Sequence, residues 1–274
     1  MDWMKTAISL GAAIAAAALT AASPAGAEGA AYHVTLGYSG RLIIKVLDIS
    51  IDARASAASH SSSARMVSSG LLAKFRKLDT RASSRGRIMG GRPMPGDFIQ
   101  QNLAGKSKRR TTVDWQGGGK VAVTATPAYF DMGDPPATMA QQAAAADPLT
   151  QMMRMTLNGS RATVCRQSYR FFDGKQLYDV RMSNPQSAAA NAREKRLGLQ
   201  GLLACDARFV EVAGFKRKSG KERNQGLDRP IRVVFGQAGA DGPLVISSVR
   251  AHTPLGPAVI ELDRLSASGD DPTD

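Results

Sequence analysis

The stretch ATVCRQSYRFFDGKQLYDVRM, residues 162–182, holds a cysteine and an Asp-Gly pair set between two runs of alternating residues. Asp-Gly in such a setting is a strong hairpin signal, because a two-residue type I′ turn needs positive φ at both positions. A turn at residues 173–174 pairs Phe171 with Gln176 across the hairpin. Since cross-strand partners share a face, this register places Cys165 on the apolar, inward face.

The beginning of the chain has the pattern of an export signal. Lys5 precedes an uncharged, mostly alanine run over residues 6–22, which is followed by small residues. This order is typical of a secretory signal peptide, so we expect residues 1–27 to be a Sec-type signal and the mature protein to be periplasmic. A membrane anchor is the alternative, but the run is weakly apolar for a span of about 20 residues.

The second cysteine lies in LLACDARFVEV, residues 202–212, where alternation also turns Cys205 inward. Two inward cysteines in an exported protein favour a disulfide, and we predict a bond between Cys165 and Cys205. A thiol-redox site would normally show Cys-x-x-Cys, and a cysteine nucleophile needs a histidine base. The three histidines occur singly, and any of them could approach Cys165 in the fold, so the nucleophile stays an alternative.

Alternating segments on both sides of a short helical centre predict a mainly β chain. The first two strands are predicted at residues 31–38 and 42–51, joined at 39–40. The segment ARASAASHSSSARMVSS, residues 53–69, is either a loop or a strand with a polar face. With no internal repeat and no Pro-rich linker, we expect one β-rich domain at residues 28–265 and a disordered polar tail at 266–274.

The helical centre is marked by an aspartate and a proline at residues 147–148, an N-cap with proline at the first helical position. Leu149, Met152 and Met153 follow at helical spacing, which predicts a helix over about residues 148–156. Because methionine adapts to variable apolar ligands, these three residues are candidates to line a ligand groove. Packing in the core is the more common role of such residues and remains the alternative.

The chain is strongly basic, with 36 Lys and Arg against 23 Asp and Glu and a formal net charge of +13. Such a surplus favours polyanionic partners, and export makes anionic lipid, lipopolysaccharide phosphate or an acidic protein more plausible than nucleic acid. A solvated basic surface without a dedicated partner is the alternative. The charge lies in the runs KSKRR, AREKR and FKRKSGKER. Within the last run, the candidate anion contacts are Lys216, Arg217 and Lys218.

Signatures of catalysis and metal binding are missing from the sequence. It contains no H-E-x-x-H, no paired-cysteine zinc pattern and no G-x-S-x-G, and GGGKV at residues 117–121 lacks the Walker spacing. Asp131 and Asp134 could share a cation, yet a loop rich in proline and glycine explains them equally well. We therefore predict no cofactor, no metal and no catalytic residue.

Four segments, taken in order, resemble an exported proteobacterial family, domain-of-unknown-function family three-one-zero-eight. They are YHVTLGYSGRLI, ADPLTQMMRM, VCRQSYRFFDGKQLYDVRM and LLACDARFVEVAGFKRK. The resemblance implies a curved antiparallel sheet forming an open barrel or β-spiral with one or two short helices, similar in architecture to periplasmic lipoprotein carriers and envelope-integrity β-spiral proteins. The family has no established catalytic residues to carry over.

Two functions follow as hypotheses. The first is a non-enzymatic periplasmic binding or scaffold protein of the cell envelope, a monomer that is soluble or peripheral to the membrane. It would hold a lipid, acyl chain or peptide in a β-lined groove. The alternative is an envelope-polymer hydrolase with a site built from dispersed carboxylate or histidine residues, which two carboxylates at hydrolase-like separation would favour.

Overall fold

The computed structural model describes residues 32–70, 72–105, 108–157, 160–216, 229–239, 242–253 and 256–269. The predicted signal peptide, residues 1–27, lies outside these ranges. So do two of the three candidate anion contacts, Arg217 and Lys218. No helix in the described ranges is long and apolar enough to cross a membrane.

The described residues form strands for most of their length. The strands are β1 (Tyr32–Arg41), β2 (Lys45–Ala55), β3 (Ser59–Ser68), β4 (Asp79–Met89), β5 (Arg92–Pro93), β6 (Asp97–Asn102), β7 (Arg110–Gly117), β8 (Lys120–Thr126), β9 (Ser168–Phe172), β10 (Leu177–Ser187), β11 (Leu199–Ala213), β12 (Ile231–Ala238), β13 (Leu244–Thr253) and β14 (Gly256–Gly269). The short helices are α1 (Leu72–Phe75), α2 (Met139–Ala143), α3 (Pro148–Leu157) and α4 (Ala192–Arg196).

One large antiparallel sheet organises the molecule. Its strand order is β8-β7-β6-β4-β3-β2-β1-β14-β13-β12-β11-β10-β9, and β5 pairs with β4 at the side. The first and last strands, β8 and β9, do not pair with each other, so the sheet is not closed. The sheet is nevertheless curved, since strands near its two opposite edges approach each other. A Cβ on Gly174 in the β9–β10 loop would lie 2.5 Å from Thr111 Cγ2 in β7. The predicted mainly β fold is confirmed.

The first hairpin turns later than predicted. The sequence placed the turn at residues 39–40, but β1 runs on to Arg41 and the connection is at 42–44. Gly40 pairs with Leu47 in β2, and a Cβ on Gly40 would lie 2.8 Å from Leu47 Cβ. Glycine therefore permits a close cross-strand approach inside the strand here, rather than a turn.

The β9–β10 hairpin keeps its predicted faces but not its predicted turn. Phe171 pairs with Tyr178 rather than Gln176, which makes the loop residues 173–176. The Asp173 carboxylate accepts the N–H groups of residues 175 and 176 at 2.9 and 2.6 Å, and this local bonding favours the longer turn. A shift of two residues leaves the faces unchanged, so Phe171 still points inward.

The predicted disulfide between Cys165 and Cys205 is confirmed, with the two Cα atoms 5.5 Å apart. Cys165 lies in a 3-10 turn, Val164–Arg166, and not in a strand as predicted. The reason is geometric, because β10 separates β9 from β11. Two strand spacings are about 10 Å, too far for a disulfide. Cys165 must therefore leave the sheet to reach Cys205 in β11.

The end of the chain also differs from the prediction. β14 continues to Gly269, and residues 266–269 pair with residues 32–35 of β1. The sequence placed 266–269 in a disordered tail because their side chains are small and polar. Ladder hydrogen bonds come from the backbone, however, and β1 supplies a partner strand. Residues 270–274 lie outside the described ranges.

Candidate functional site

Helix α3 (Pro148–Leu157) lies inside the curved sheet. Its predicted N-cap is confirmed, since the Asp147 carboxylate accepts the Thr150 N–H at 2.9 Å. Residues 148–156 are all buried. The helix contacts β9 at one edge of the sheet and β3, β4 and β5 on the other side. It therefore fills the space that the sheet encloses.

The apolar side of α3 carries the three predicted groove residues. Leu149, Met152 and Met153 are all buried. Leu149 and Met152 share one hydrophobic cluster with Phe98 of β6 and Phe171 of β9. Leu149 and Met152 thus have the core-packing role that the sequence left open, and contact of any of the three residues with a ligand stays a prediction.

The polar side of α3 faces β4 and the short strand β5. Thr150 Oγ1 and Ser84 Oγ of β4 are 2.9 Å apart and hydrogen bonded. Arg154 Nε donates to the Pro93 carbonyl at 2.7 Å, and its Nη1 donates to Gln151 Oε1 at 3.1 Å. Burial lowers the pKa of Arg154 to about 10, so the guanidinium stays charged at neutral pH. The bonds to Ser84 and to the Pro93 carbonyl join the helix to the sheet, while the bond to Gln151 lies within the helix.

Two residues of β3 complete this polar interior. His60 pairs with Gly86 and Ser62 with Ser84, and partners across a ladder share a face. His60 and Ser62 therefore face α3. The side chain of His60 needs a glycine opposite, since a Cβ on Gly86 would lie 2.6 Å from His60 Nε2. We call His60, Ser62, Ser84, Asp147 and Thr150 the interior polar cluster.

The interior polar cluster has unused hydrogen-bonding capacity. His60, Ser62 and Asp147 are 3%, 6% and 0% exposed. Among the described residues, His60 Nδ1, Ser62 Oγ and Asp147 Oδ2 are buried without a hydrogen-bond partner. A buried polar atom left unpaired is destabilising by about 1–3 kcal/mol, so three in one place call for a partner such as water or a ligand group.

Electrostatics set the charge states in the cluster. Burial is the largest influence on His60 and lowers its pKa, while the Met94 carbonyl and the Asp147 carboxyl act in the opposite direction. Burial likewise raises the pKa of Asp147, against the effects of the Thr150 and Ser84 donors and of His60. Burial thus disfavours the charged form of both groups. A neutral imidazole and a hydroxyl suit an uncharged polar ligand group.

The candidate anion contact Lys216 and the loop carboxylate of Asp131 lie outside the interior polar cluster. Lys216 is exposed and lies three residues after the end of β11, whereas the residues of the interior polar cluster are buried. Asp131 Oδ1 accepts the Gly133 N–H at 2.6 Å, as expected of a loop carboxylate. No group of three His, Cys, Asp or Glu side chains in the described ranges is placed to hold a metal ion.

Sequence reasoning missed His60, Ser62 and Ser84 as site residues. The Ser/Ala-rich segment at 53–69 left loop and strand open, whereas the structure makes residues 59–68 strand β3. The available signal was alternation, because His60, Ser62 and Met66 are buried on one side of that strand. Its polar composition obscured this pattern.

The fold and site define a mainly β domain whose unclosed antiparallel sheet encloses a buried helix. No protein-family model matches the chain, and no curated protein matches it. A similar solved structure is a β-barrel-like protein of domain of unknown function DUF1849 from Brucella abortus. It is 12% identical, covers 87% of this chain and 98% of its own, and has a TM-score of 0.47. Membership of family three-one-zero-eight stays a prediction.

Proposed function

We propose that this chain is a non-enzymatic binding or scaffold protein of the cell envelope whose interior takes an amphipathic ligand, namely a lipid, an acyl chain or a peptide. The interior polar cluster carries this proposal. Its three unpartnered atoms, His60 Nδ1, Ser62 Oγ and Asp147 Oδ2, lie inside a sheet that is not closed. Binding sites commonly combine an apolar lining with a few placed polar groups.

The cluster also indicates the chemistry of the ligand's polar end. The Met94 carbonyl only accepts hydrogen bonds, so the His60 Nε2 beside it, at 3.0 Å, carries the hydrogen. In the neutral ring, Nδ1 is then an acceptor. A hydroxyl or amide N–H of a ligand would satisfy Nδ1 and the Asp147 carboxyl, while Leu149 and Met152 offer apolar contact beside them.

The gap between β8 and β9 is a candidate entry route for a ligand, and the segment over residues 127–147 covers it. Trp115 Nε1 of β7 donates to the Gln142 carbonyl at 3.3 Å. On the other side, the Ala146 N–H donates to the Arg170 carbonyl at 3.2 Å, and the Ala146 carbonyl accepts the Phe172 N–H at 2.9 Å. Further bonds hold the segment over residues 127–147, among them Arg109 Nε to the Pro127 carbonyl at 2.7 Å and the Asp134 N–H to the Phe215 carbonyl at 2.8 Å. Entry of a ligand would therefore require displacement of this segment together with α3.

The hydrolase alternative is less well supported. A general base must be within hydrogen-bonding reach of its nucleophile and oriented by a third group. His60 Nδ1 makes no bond to Ser62 Oγ among the described residues. The Asp147 oxygen that is bonded caps α3 at the Thr150 N–H. Histidine, serine and aspartate are thus gathered without the bonds that a catalytic set requires.

The periplasmic location is part of the same proposal. Disulfides persist in oxidising compartments, and the bond between Cys165 and Cys205 supports a site of action outside the cytoplasm. A basic surface would meet anionic envelope components there. The expected state is a monomer without a cofactor.

Native mass spectrometry of the full chain purified from periplasm tests the proposal. We expect a bound small molecule that is released on denaturation, with less of it on His60→Ala and Ser62→Ala variants. Ser63→Ala is the matched control, because Ser63 is the exposed neighbour of Ser62 on β3. A wild-type chain that carries no ligand, or equal loading of the control and cluster variants, would contradict the proposal.

A further inference from the structure

The antiparallel topology sorts the connections of this fold between two ends of the sheet. Strands β1, β3, β6, β8 and β11 all finish at one end, which we call the lysine end. Strands β2, β4, β7 and β10 finish at the opposite end. The connections at residues 42–44, 69–78 and 103–109 therefore share the lysine end, while helix α4 lies between β10 and β11 at the opposite end.

Exposed apolar side chains are concentrated at the lysine end. Seven large apolar side chains are exposed in the described part of the chain. Five belong to connections at the lysine end, and they are Ile43, Ile44, Phe75, Phe130 and Met132. Ile43 is 90% exposed and Phe75 is 82% exposed. The other two, Met89 and Met139, lie at the opposite end, since Met89 ends β4 and the Met139 sulfur accepts the N–H of Val121 at the start of β8.

The loop that carries Phe75 and the hairpin loop that carries Ile43 and Ile44 are neighbours. The Ser69 N–H donates to the Val46 carbonyl at 2.9 Å, which joins the loop that carries Phe75 to the hairpin that carries Ile43 and Ile44. Phe130 and Met132 lie farther along the same end, where the Asp134 N–H donates to the Phe215 carbonyl beyond β11 at 2.8 Å. Exposed apolar residues thus belong to several connections at this end.

Exposed lysines surround these apolar residues. Lys45, Lys74, Lys77, Lys108 and Lys216 are all exposed and all lie in or beside connections at this end. Lys45 contacts Asp48 at 2.5 Å. The connections at residues 42–44, 69–78 and 103–109 contain no aspartate or glutamate. In the loop after β8, by contrast, the exposed Asp131 and Asp134 flank Met132. Cationic charge and exposed apolar side chains therefore occur together at the connections over residues 42–44 and 69–78.

We propose that the lysine end docks on the surface of an anionic lipid bilayer. Ile43, Ile44 and Phe75 insert at the boundary between headgroups and acyl chains, and the lysines meet the lipid phosphates. Interfacial binding needs this combination of buried apolar area and basic charge. The apolar side chains would be buried by the acyl chains and the lysines would meet the phosphates, whereas an acidic protein is the other partner that this charge would fit and is an outcome of the test. The proposal is independent of a ligand in the interior.

Vesicle flotation of the full mature chain tests this inference. The probes are vesicles of phosphatidylcholine alone and vesicles of equal parts phosphatidylcholine and phosphatidylglycerol. We expect flotation with the anionic vesicles, loss of most binding in added salt, and little flotation with neutral vesicles. Absence of flotation with anionic vesicles, or equal flotation with both compositions, would overturn the proposal and would leave an acidic protein as the partner class to examine.

Matched variants at the two ends locate the surface. The variant Ile43→Ser with Ile44→Ser and Phe75→Ser should reduce vesicle binding about tenfold or more, and Met89→Ser with Met139→Ser should leave it unchanged. Lys74→Glu with Lys77→Glu should likewise weaken binding, unlike Lys195→Glu with Arg196→Glu on α4. Equal effects at both ends would overturn the proposal. All these side chains are exposed, so we expect the variants to keep the native fold, which circular dichroism checks. Ligand loading, measured by native mass spectrometry, reports separately on the interior.

Discussion

His60 Nε2 lies 3.0 Å from the carbonyl oxygen of Met94, within hydrogen-bonding distance. This contact assigns the hydrogen of the neutral ring to Nε2 and leaves Nδ1 as a buried acceptor. Nδ1 belongs to the interior polar cluster, in which Ser62 Oγ and Asp147 Oδ2 are also unpartnered among the described residues. The same few atoms are therefore expected to influence both the stability of the fold and its capacity to bind a ligand.

The first prediction concerns acid stability through His60. Its pKa is lowered from the ordinary value of 6.5, chiefly by burial, so the unfolded chain binds the proton more readily. Stability is then lost as pH falls from above 6.5 through the lower folded-state pKa. We expect His60→Gln to reduce the loss of urea midpoint between about pH 7.5 and about pH 5.5. His252→Gln, at an exposed histidine, is the control, and an unchanged pH dependence in His60→Gln would contradict the prediction.

The second prediction separates the two roles of Asp147. Its pKa is raised above 3.8 by burial, so its contribution to stability is lost as pH rises from 3.8 through the folded-state pKa. Asp147→Asn keeps a cap for the Thr150 N–H and removes this loss. Asp147→Ala removes the cap and should be less stable than Asp147→Asn by about 1 kcal/mol at neutral pH. Denaturant unfolding measures both, and equal stability of the two variants would contradict the cap.

The third prediction concerns the disulfide. Cys165 and Cys205 are 40 residues apart in sequence, and closing such a loop stabilises the folded state by about 4 kcal/mol in the chain-entropy account. Cys165→Ser, Cys205→Ser and the double variant should all lose about that amount of unfolding free energy. The double variant serves as the control, because one bond can be lost only once. A double variant that loses twice as much as either single variant would show that packing of the sulfurs dominates.

The fourth prediction tests a close backbone approach. Gly214, with φ of 81°, has no room for a side chain, because a Cβ there would overlap the backbone of Lys175. Gly117 has φ of 80°, and a Cβ added to it would have nothing within 4 Å. Gly117→Ala should cost about 1 kcal/mol of stability from its backbone conformation alone, and Gly214→Ala should cost about 2 kcal/mol more from the overlap. Thermal unfolding compares the two, and similar melting temperatures would refute a tight contact at Gly214.

Local patterns account for what the sequence predicted correctly. The mainly β class follows from alternation over a few residues, and the start of α3 follows from Asp147 and the proline after it. The inward direction of Phe171 also held, although the turn is two residues longer than predicted. A shift of an even number of residues keeps every side chain on its face. The prediction of which side chains face inward therefore survived an error in the length of the turn.

The sequence by itself determined the class of fold and the N-cap of α3, because each depends on residue type and spacing along one segment. It also determined the pairing of Cys165 with Cys205, because the chain has two cysteines and both were expected to face inward. Tertiary structure alone decided that His60 and Ser84, on adjacent strands, meet Asp147 at the start of a distant helix. It also decided that Ile43 and Phe75 emerge at one end beside exposed lysines. Strand order and register bring these residues together, and local periodicity encodes neither of them.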